Sequence, residues 1–296
     1  QGELISSKVI TEILNEKAYE AVFLDSTQLI KTDSYFGSAN VNETLTEIAI
    51  KEQFSKIKSS KLVVLGGFIG SNENGEITTL GRNGSNLTAA LIAKYTDAEE
   101  FLNFTHVDGI YTTNPEWVSS AKRIDELHYD EANELANFGA NILHAKTIIP
   151  LIEKKIPLRI LNTLNPNSPG TLISSKPTAK DVKSLTVLQN VALIQFYGKG
   201  LLGKIGVDAR IFNALAKEKI SVSVIAQGSS ERGIGFVVEE KNAFLAKTTL
   251  ENEFAEDFYT KDVENIHVNT NIAVISIIGQ DLESFHKPYS ALIKNG

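Results

Sequence analysis

The sequence predicts a two-part α/β protein: a largely parallel α/β sandwich, then a smaller α+β region built on a repeat. Three observations predict it. Helical and strand patterns alternate through the first half, a glycine-bracketed arginine run feeds an Ala-rich helix, and a strand–helix unit recurs in the last third.

The elements follow in order. Glu3–Asn15 reads as an amphipathic helix with Leu4, Ile5, Val9, Ile10 and Ile13 at core spacing, and Ala21–Leu24 as a short strand. Glu43–Ile57 is helical, Lys61–Leu65 is a buried strand ending at Gly66-Gly67, and Gly75 marks a hairpin-like turn. Leu87–Tyr95 is a helix, Glu100–Thr105 a strand, Asp130–Asn137 a helix closed by Gly139, Thr147–Lys154 a helix and Leu158–Leu161 a strand. In such a sheet, ligands collect at the C-terminal strand ends. Residues 174–183, with Pro177 and several Lys and Ser, read as a linker between a first domain of 1–173 and a region of 184–296. Within that region Val191–Gly198 (VALIQFYG) matches Ile272–Gly279 (IAVISIIG) 81 positions on, and each strand leads to a similar helix (FNALAK, YSALIK). The first copy adds strands at Ile220–Ile225 and Ile234–Val238; the second is expected to be cut short at Gly296.

The most informative segment is Thr78–Ala90 (TTLGRNGSNLTAA). Two glycines bracket Arg82, then Ser85 or Asn86 opens the helix, so free backbone N–H groups converge where an anion could sit. The guanidinium fork of Arg82 suits a carboxylate or phosphate; the plain alternative is an ordinary well-capped loop-to-helix joint.

Composition narrows the function classes. With 296 residues, 42% hydrophobic and 22% charged, the chain can build a sizeable core. A net charge of -7, with 29 basic residues interspersed among 36 acidic ones, argues against a nucleic-acid partner. No apolar run is long enough to cross a bilayer and no basic region precedes an apolar core at the start, so neither membrane nor secretory signal is expected. Without Cys there are no disulfides or thiolate metal sites, no metal-ligand spacing joins the five His, and a cytoplasmic location is the default. The chain also lacks Met, which suggests processing or trimming.

Other segments leave two readings open. Thr105–Thr112 (THVDGIYT) follows a strand and is either a nucleotide- or magnesium-holding loop or an Asp108-Gly109 turn, with His106 a surface histidine. Lys146 is a phosphate ligand or a solvated helix-start residue. Glu3 is a helix-dipole partner or an ammonium ligand. Ala226–Arg232 (AQGSSER) is a plain hairpin connection or a loop whose Gln227 binds a small amino acid.

These segments together resemble the aspartokinases. Gly2–Ser7 is similar to the family's substrate-binding helix start, and Gly67–Ser71 (GFIGS), Gly81–Asn86 (GRNGSN), Thr105–Pro115, Phe138–Thr147 (FGANILHAKT) and Asn162-Thr163…Pro166…Gly170-Thr171 follow in family order. The tail resembles paired ACT regulatory domains of the type fused to homoserine dehydrogenase. The resemblance covers essentially the whole chain. It implies a three-layer amino-acid-kinase sandwich (truncated), then ACT-like repeats. The implied activity is phosphorylation of the L-aspartate β-carboxylate by ATP with Mg2+, feedback control by an amino acid such as L-threonine, and a homo-oligomer formed through the ACT domains. By position, Glu3 would hold the aspartate ammonium and Arg82 its α-carboxylate, with Ser85 and Asn86 beside them. Thr105, His106, Tyr111 and Asn141 would border the nucleotide, and Gln227 the effector.

The departures are specific. Asn86 stands where the family has Asp, Thr105-His106 replaces Thr-Asp, Asn114-Pro115-Glu116 replaces Asp-Pro-Arg, and Asn141 replaces a lysine. The N-terminal Lys-Phe-Gly-Gly-Thr-Ser segment, with its catalytic lysine, is also not in this sequence, which leaves Lys31 or Lys146 to neutralise phosphate charge. The resemblance therefore implies an aspartate kinase whose present fragment is inactive. The alternative is a catalytically degenerate sensor that binds threonine and oligomerises.

Overall fold

Helix α1 (Gly2–Glu16) leads into strand β1 (Ala21–Phe23), and the short α2 (Ser26–Leu29) and α3 (Glu43–Ser55) cross over to β2 (Leu62–Val64). That crossover makes β1 and β2 parallel neighbours, with Ala21 opposite Leu62. This computed structural model describes residues 1–59, 61–138, 145–201, 204–227, 233–280 and 285–295. The hairpin β3 (Ile69–Ser71) and β4 (Ile77–Thr79) turns through Gly75 at φ +77°. It feeds α4 (Gly84–Tyr95), β5 (Phe101–Thr105), β6 (Glu126–His128), α5 (Tyr129–Asn137), α6 (Ala145–Lys154), β7 (Leu158–Asn162) and β8 (Thr171–Ser174). These strands form a sheet in the order β5-β7-β8-β6, parallel at β5–β7 and β6–β8 and antiparallel at β7–β8. The result is a mixed α/β fold whose parallel pairs are interrupted by one antiparallel join.

Chain contacts define two compact units, Gln1–Leu185 with Ile277–Gly296, and Thr186–Ser276. In the first, one core gathers Ala90, Leu127, Ile148, Leu158 and Ile173, and a second gathers Leu29, Ile50, Leu91 and Tyr95. Burying each Leu or Ile contributes about 1.5–3 kcal/mol. The buried ammonium of Lys94 joins helices, pairing with Glu43 at 2.7 Å and Glu153 at 2.6 Å.

One expectation is reversed. In α1 the buried residues are Ser7 and Thr11, while Ile5 and Val9 are 61% and 52% exposed. The cause is close approach: a Cβ on Gly66, just past β2, would stand 2.9 Å from the Glu3 carbonyl oxygen. Only small side chains fit at that spacing, and their hydroxyls return to the helix's own carbonyls, Ser7 to Glu3 at 2.7 Å and Thr11 to Ser7 at 2.8 Å.

Strand β9 (Val182–Tyr197) begins in the first unit and runs into the second, and β12 (Asn265–Gly279) returns the other way before α10 (His286–Asn295). Residues 174–183 thus hold the end of β8 and the start of β9. Between the long strands lie α7 (Val207–Lys217), β10 (Val222–Gln227), β11 (Gly233–Glu239), α8 (Ala243–Glu253) and α9 (Ala255–Tyr259). The sheet order β10-β11-β9-β12 gives a split βαββαβ arrangement. The repeated octets lie in β9 and β12, which are sheet neighbours. Phe196, Phe236 and Phe254 fill the core beneath them, with the Phe196 and Phe254 rings edge-on at 4.7 Å. Among the described residues, no helix is long and apolar enough to cross a membrane.

Candidate functional site

The Arg82 segment forms a cleft of about 500 Å3 lined by Phe68, Gly81, Arg82, Asn83, Gly84, Ser85 and Asn86. Helix α4 starts earlier than expected, at Gly84 rather than at a Ser85 or Asn86 cap. Asn83 is the N-cap, but at φ +61° it is left-handed and its side chain makes no cap hydrogen bond. The first-turn N–H groups of Ser85 and Asn86 therefore have no partner among the described residues, which leaves them available to an anion. Arg82 is exposed and forms no ion pair or hydrogen bond there either.

Glycine brings the outlying pieces together. A Cβ on Gly67 would stand 2.6 Å from Cα of Ser85, and Gly66 touches Glu3, so the glycine pair just past β2 joins the first turns of α1 and α4. Glu3 reaches this assembly through its backbone, and its carboxylate carries no partner among the described residues. Phe68, which no sequence signal marked apart from its glycine neighbours, sits at φ +75°, a strained conformation for a bulky side chain. It is held there by its own N–H donating to Thr88 Oγ1 at 3.2 Å and by Leu80 N–H donating to its carbonyl at 2.9 Å.

Thr105 and His106 lie at the C-terminal end of β5, Thr105 Oγ1 and His106 Nδ1 being 3.3 Å apart. Asp108 Oδ1 accepts hydrogen bonds from Asn162 at 2.7 Å and Asn165 at 3.1 Å, so it ties together the loops leaving the parallel strands β5 and β7. Gly109 at φ +140° lets Ile110 N–H reach Thr171 Oγ1 at 2.8 Å. Tyr111 bridges to Arg123 and its carbonyl accepts from Ser184 at 3.2 Å. Asn141 lies outside the described residues, as do Gly139 and the side chain of Lys146. Lys31 donates to the Thr27 carbonyl at 3.1 Å and to Ser71 Oγ at 3.2 Å, contacts that support the fold. No group of His, Asp and Glu suited to a metal ion occurs among the described residues.

In the second unit Gln227 lines another cavity, about 250 Å3, with Lys204, Gly206, Val207, Asp208, Gly233 and Ile234. Here too a helix begins with a left-handed cap, Gly206 at φ +88°, and no side-chain cap bond. Lys204 pairs with Asp257 at 2.8 Å and Asp262 at 3.0 Å, and Arg210 with Asp257 at 2.9 Å. Burial pushes the Asp257 carboxyl up, but the bonds from Lys204 and Arg210 more than reverse this and hold it below the usual aspartate value. Residues 228–232 of the expected effector loop lie outside the described residues.

The amino acid kinase family model matches residues 1–162 and an ACT domain model matches residues 194–254. Aspartokinase 2 of Bacillus subtilis is 31% identical over 289 residues, 96% of this chain and 68% of that protein. The chain belongs to the amino acid kinase family, among the aspartokinases. A bifunctional aspartokinase/homoserine dehydrogenase of Haemophilus influenzae is 36% identical over 96% of this chain, of which the chain spans 35%. Aspartokinase III of Escherichia coli, in complex with aspartate and ADP in its R-state, superposes with a TM-score of 0.81 at 32% identity, covering 95% of this chain and 63% of that one. The T-state structure of that aspartokinase, with lysine and aspartate, superposes at 0.77. For this aspartokinase-family chain, the amino acid kinase match over residues 1–162 contains the Arg82 cleft and the loop leaving β5.

Proposed function

We propose that this chain carries the aspartate- and ATP-binding part of an aspartate kinase, which phosphorylates the L-aspartate β-carboxylate with MgATP under control of an amino acid at the ACT region. The observation that carries this reading is the open N-terminus of α4 beside an unpaired Arg82. The Arg82 fork would take the α-carboxylate in two parallel bonds, the Ser85 and Asn86 N–H groups would add dipolar support, and the Glu3 carboxylate would take the ammonium. The nucleotide would lie at the C-terminal ends of β5 and β7, beside Thr105, His106, Tyr111 and Asn141, with Mg2+ accompanying its phosphates as part of the substrate. Phosphoryl transfer rests on positioning and on neutralised charge, which ties Lys146 to the reading as a phosphate partner. Asn86, His106, Glu116 and Asn141 favour binding without turnover by this chain alone.

The second cavity supports a zwitterionic effector. Lys204 and the α7 N-terminus suit its carboxylate, Asp208 its ammonium and Gln227 a side-chain hydroxyl. L-threonine is proposed over L-lysine on the resemblance of Ala226–Arg232 to the effector loop of the type fused to homoserine dehydrogenase. A homo-oligomer through this region accompanies the reading.

Calorimetry with L-aspartate, ADP, L-threonine and L-lysine, followed by a coupled ADP-release assay, tests all of this. Saturable L-aspartate binding that is lost in Arg82→Ala supports the kinase reading. L-threonine binding with neither aspartate nor nucleotide uptake would overturn it and leave the sensor.

A further inference from the structure

The loop from Thr32 to Val41 lies against the Arg82 turn and is closed by backbone bonds, Asp33 N–H to the Asn40 carbonyl at 3.0 Å and Asn42 N–H to the Lys31 carbonyl at 2.7 Å, and by one side-chain pair across its neck. Thr32 bridges to Val41, and Asp33 Oδ1 accepts from the backbone N–H of Tyr35 at 3.1 Å and of Asn40 at 3.0 Å. Asp33 Oδ2 accepts from Asn40 Nδ2 at 2.7 Å. The closed loop then grips the strand that delivers Arg82: Ala39 N–H donates to the Thr79 carbonyl at 2.8 Å, and the Thr32 and Thr78 hydroxyls meet at 2.7 Å. Its tip touches the turn itself, because a Cβ on Gly81 would stand 3.0 Å from Ser38 Oγ and 3.3 Å from the Gly37 carbonyl oxygen. Gly81 is at φ +74° and Arg82 follows directly. The guanidinium has no partner of its own among the described residues, so its aim depends on the backbone that carries it.

We propose that Asp33 is a positioning residue for substrate binding: through its pair with Asn40 it holds the Thr32–Val41 loop against Gly81 and thereby aims Arg82. This rests on the reading of Arg82 as the aspartate α-carboxylate ligand. Asp33 is exposed, and its carboxyl is held below the usual value by the Asn40 side chain and then by the Tyr35 and Asn40 N–H groups, so it stays a full acceptor at neutral pH.

The pair can be exchanged. In Asp33→Asn the charge-assisted bonds become neutral ones, in Asn40→Asp two carboxylates face each other, and the double variant restores one charged acceptor and one donor with the roles swapped. L-aspartate and ADP are titrated separately into the 296-residue chain and these three variants, with thermal melting measured alongside. Each single variant is expected to weaken L-aspartate binding about five- to tenfold and leave ADP within about twofold, and the double variant to recover most of the loss. Unchanged aspartate affinity in Asn40→Asp, where two carboxylates are set against each other, overturns the proposal. So does an equal loss of both ligands with a lowered melting temperature that the double variant does not rescue, which marks a general stability role. If the unaltered chain takes up no L-aspartate, the functional reading falls first and this one with it.

Discussion

The Arg82 cleft and the Gln227 cavity each form at a helix N-terminus entered through a left-handed residue whose side chain makes no cap bond, Asn83 before α4 and Gly206 before α7. They differ in what surrounds the cation. Arg82 stands unpaired and the acid assigned to its ligand, Glu3, comes from a distant helix. Lys204 has Asp208 in the same cavity and is already bound to Asp257 and Asp262. The first site is assembled from separate elements and has its charge free. The second carries both signs locally, and its cation must be shared before a ligand can use it.

The largest test of that contrast is truncation of each cation. Arg82→Ala should weaken L-aspartate by roughly 30- to 150-fold, the ~2–3 kcal/mol of charged hydrogen bonds, with ADP affinity retained. Lys204→Ala should cost the effector only about three- to tenfold, because removing Lys204 also breaks two existing ion pairs. Equal losses measured by calorimetry would erase the distinction.

Next comes the glycine that assembles the first site. In Gly67→Ala the new methyl meets the Ser85 backbone, so destabilisation of about 2 kcal/mol and loss of aspartate binding are expected. Gly233→Ala meets the half-exposed ring of Tyr197, which can swing aside, and should cost about 1 kcal/mol or less by thermal melting. An effect between those two is expected of Asp257→Asn, about 1–2 kcal/mol, since Lys204 and Arg210 keep Asp262 and Glu253.

The smallest effect is acidic. Asp257 has a folded pKa below its ordinary 3.8, so its stabilisation is present above about pH 4 and is lost as pH falls through the lowered value. Melting temperature against pH should therefore drop less steeply below pH 4 in Asp257→Asn than in the parent chain. Parallel curves would remove Asp257 from the acid response.

Much of this was legible in the sequence because it rests on local chemistry. The glycines around Arg82, the octet repeat and the strands β1, β2, β5, β7, β10 and β11 are read directly, within about two residues, whereas β6 and β8 carry too few apolar residues to stand out and β9 and β12 begin well before their octets. The face of α1 was not, because hydrophobic periodicity assumes an apolar contact and Gly66 instead admits only Ser7 and Thr11. Phe68 carried no signal beyond the Gly66-Gly67 pair, since its strain is imposed by Thr88 and Leu80 from other elements. The cap at Asn83 was misplaced because Ser and Asn at later positions look equally suited. Lys204 was detectable in principle: glycines at 198, 200, 203 and 206 crowd the connection before a helix that opens with Asp208. Its partners Asp257 and Asp262 were not, lying more than fifty residues away.

The passage of β9 and β12 between units has a consequence for how the chain is made. Ile278, buried in a core of the first unit, follows the roughly ninety residues of Thr186–Ser276, so its segment leaves the ribosome only after them. Closing so long a loop as flexible coil is entropically costly and slow, whereas a Thr186–Ser276 unit that folds first presents its two ends on neighbouring strands. The order of events is thus written into connectivity: the inserted unit matures early, and the core that holds Ile278 closes only after β12 arrives.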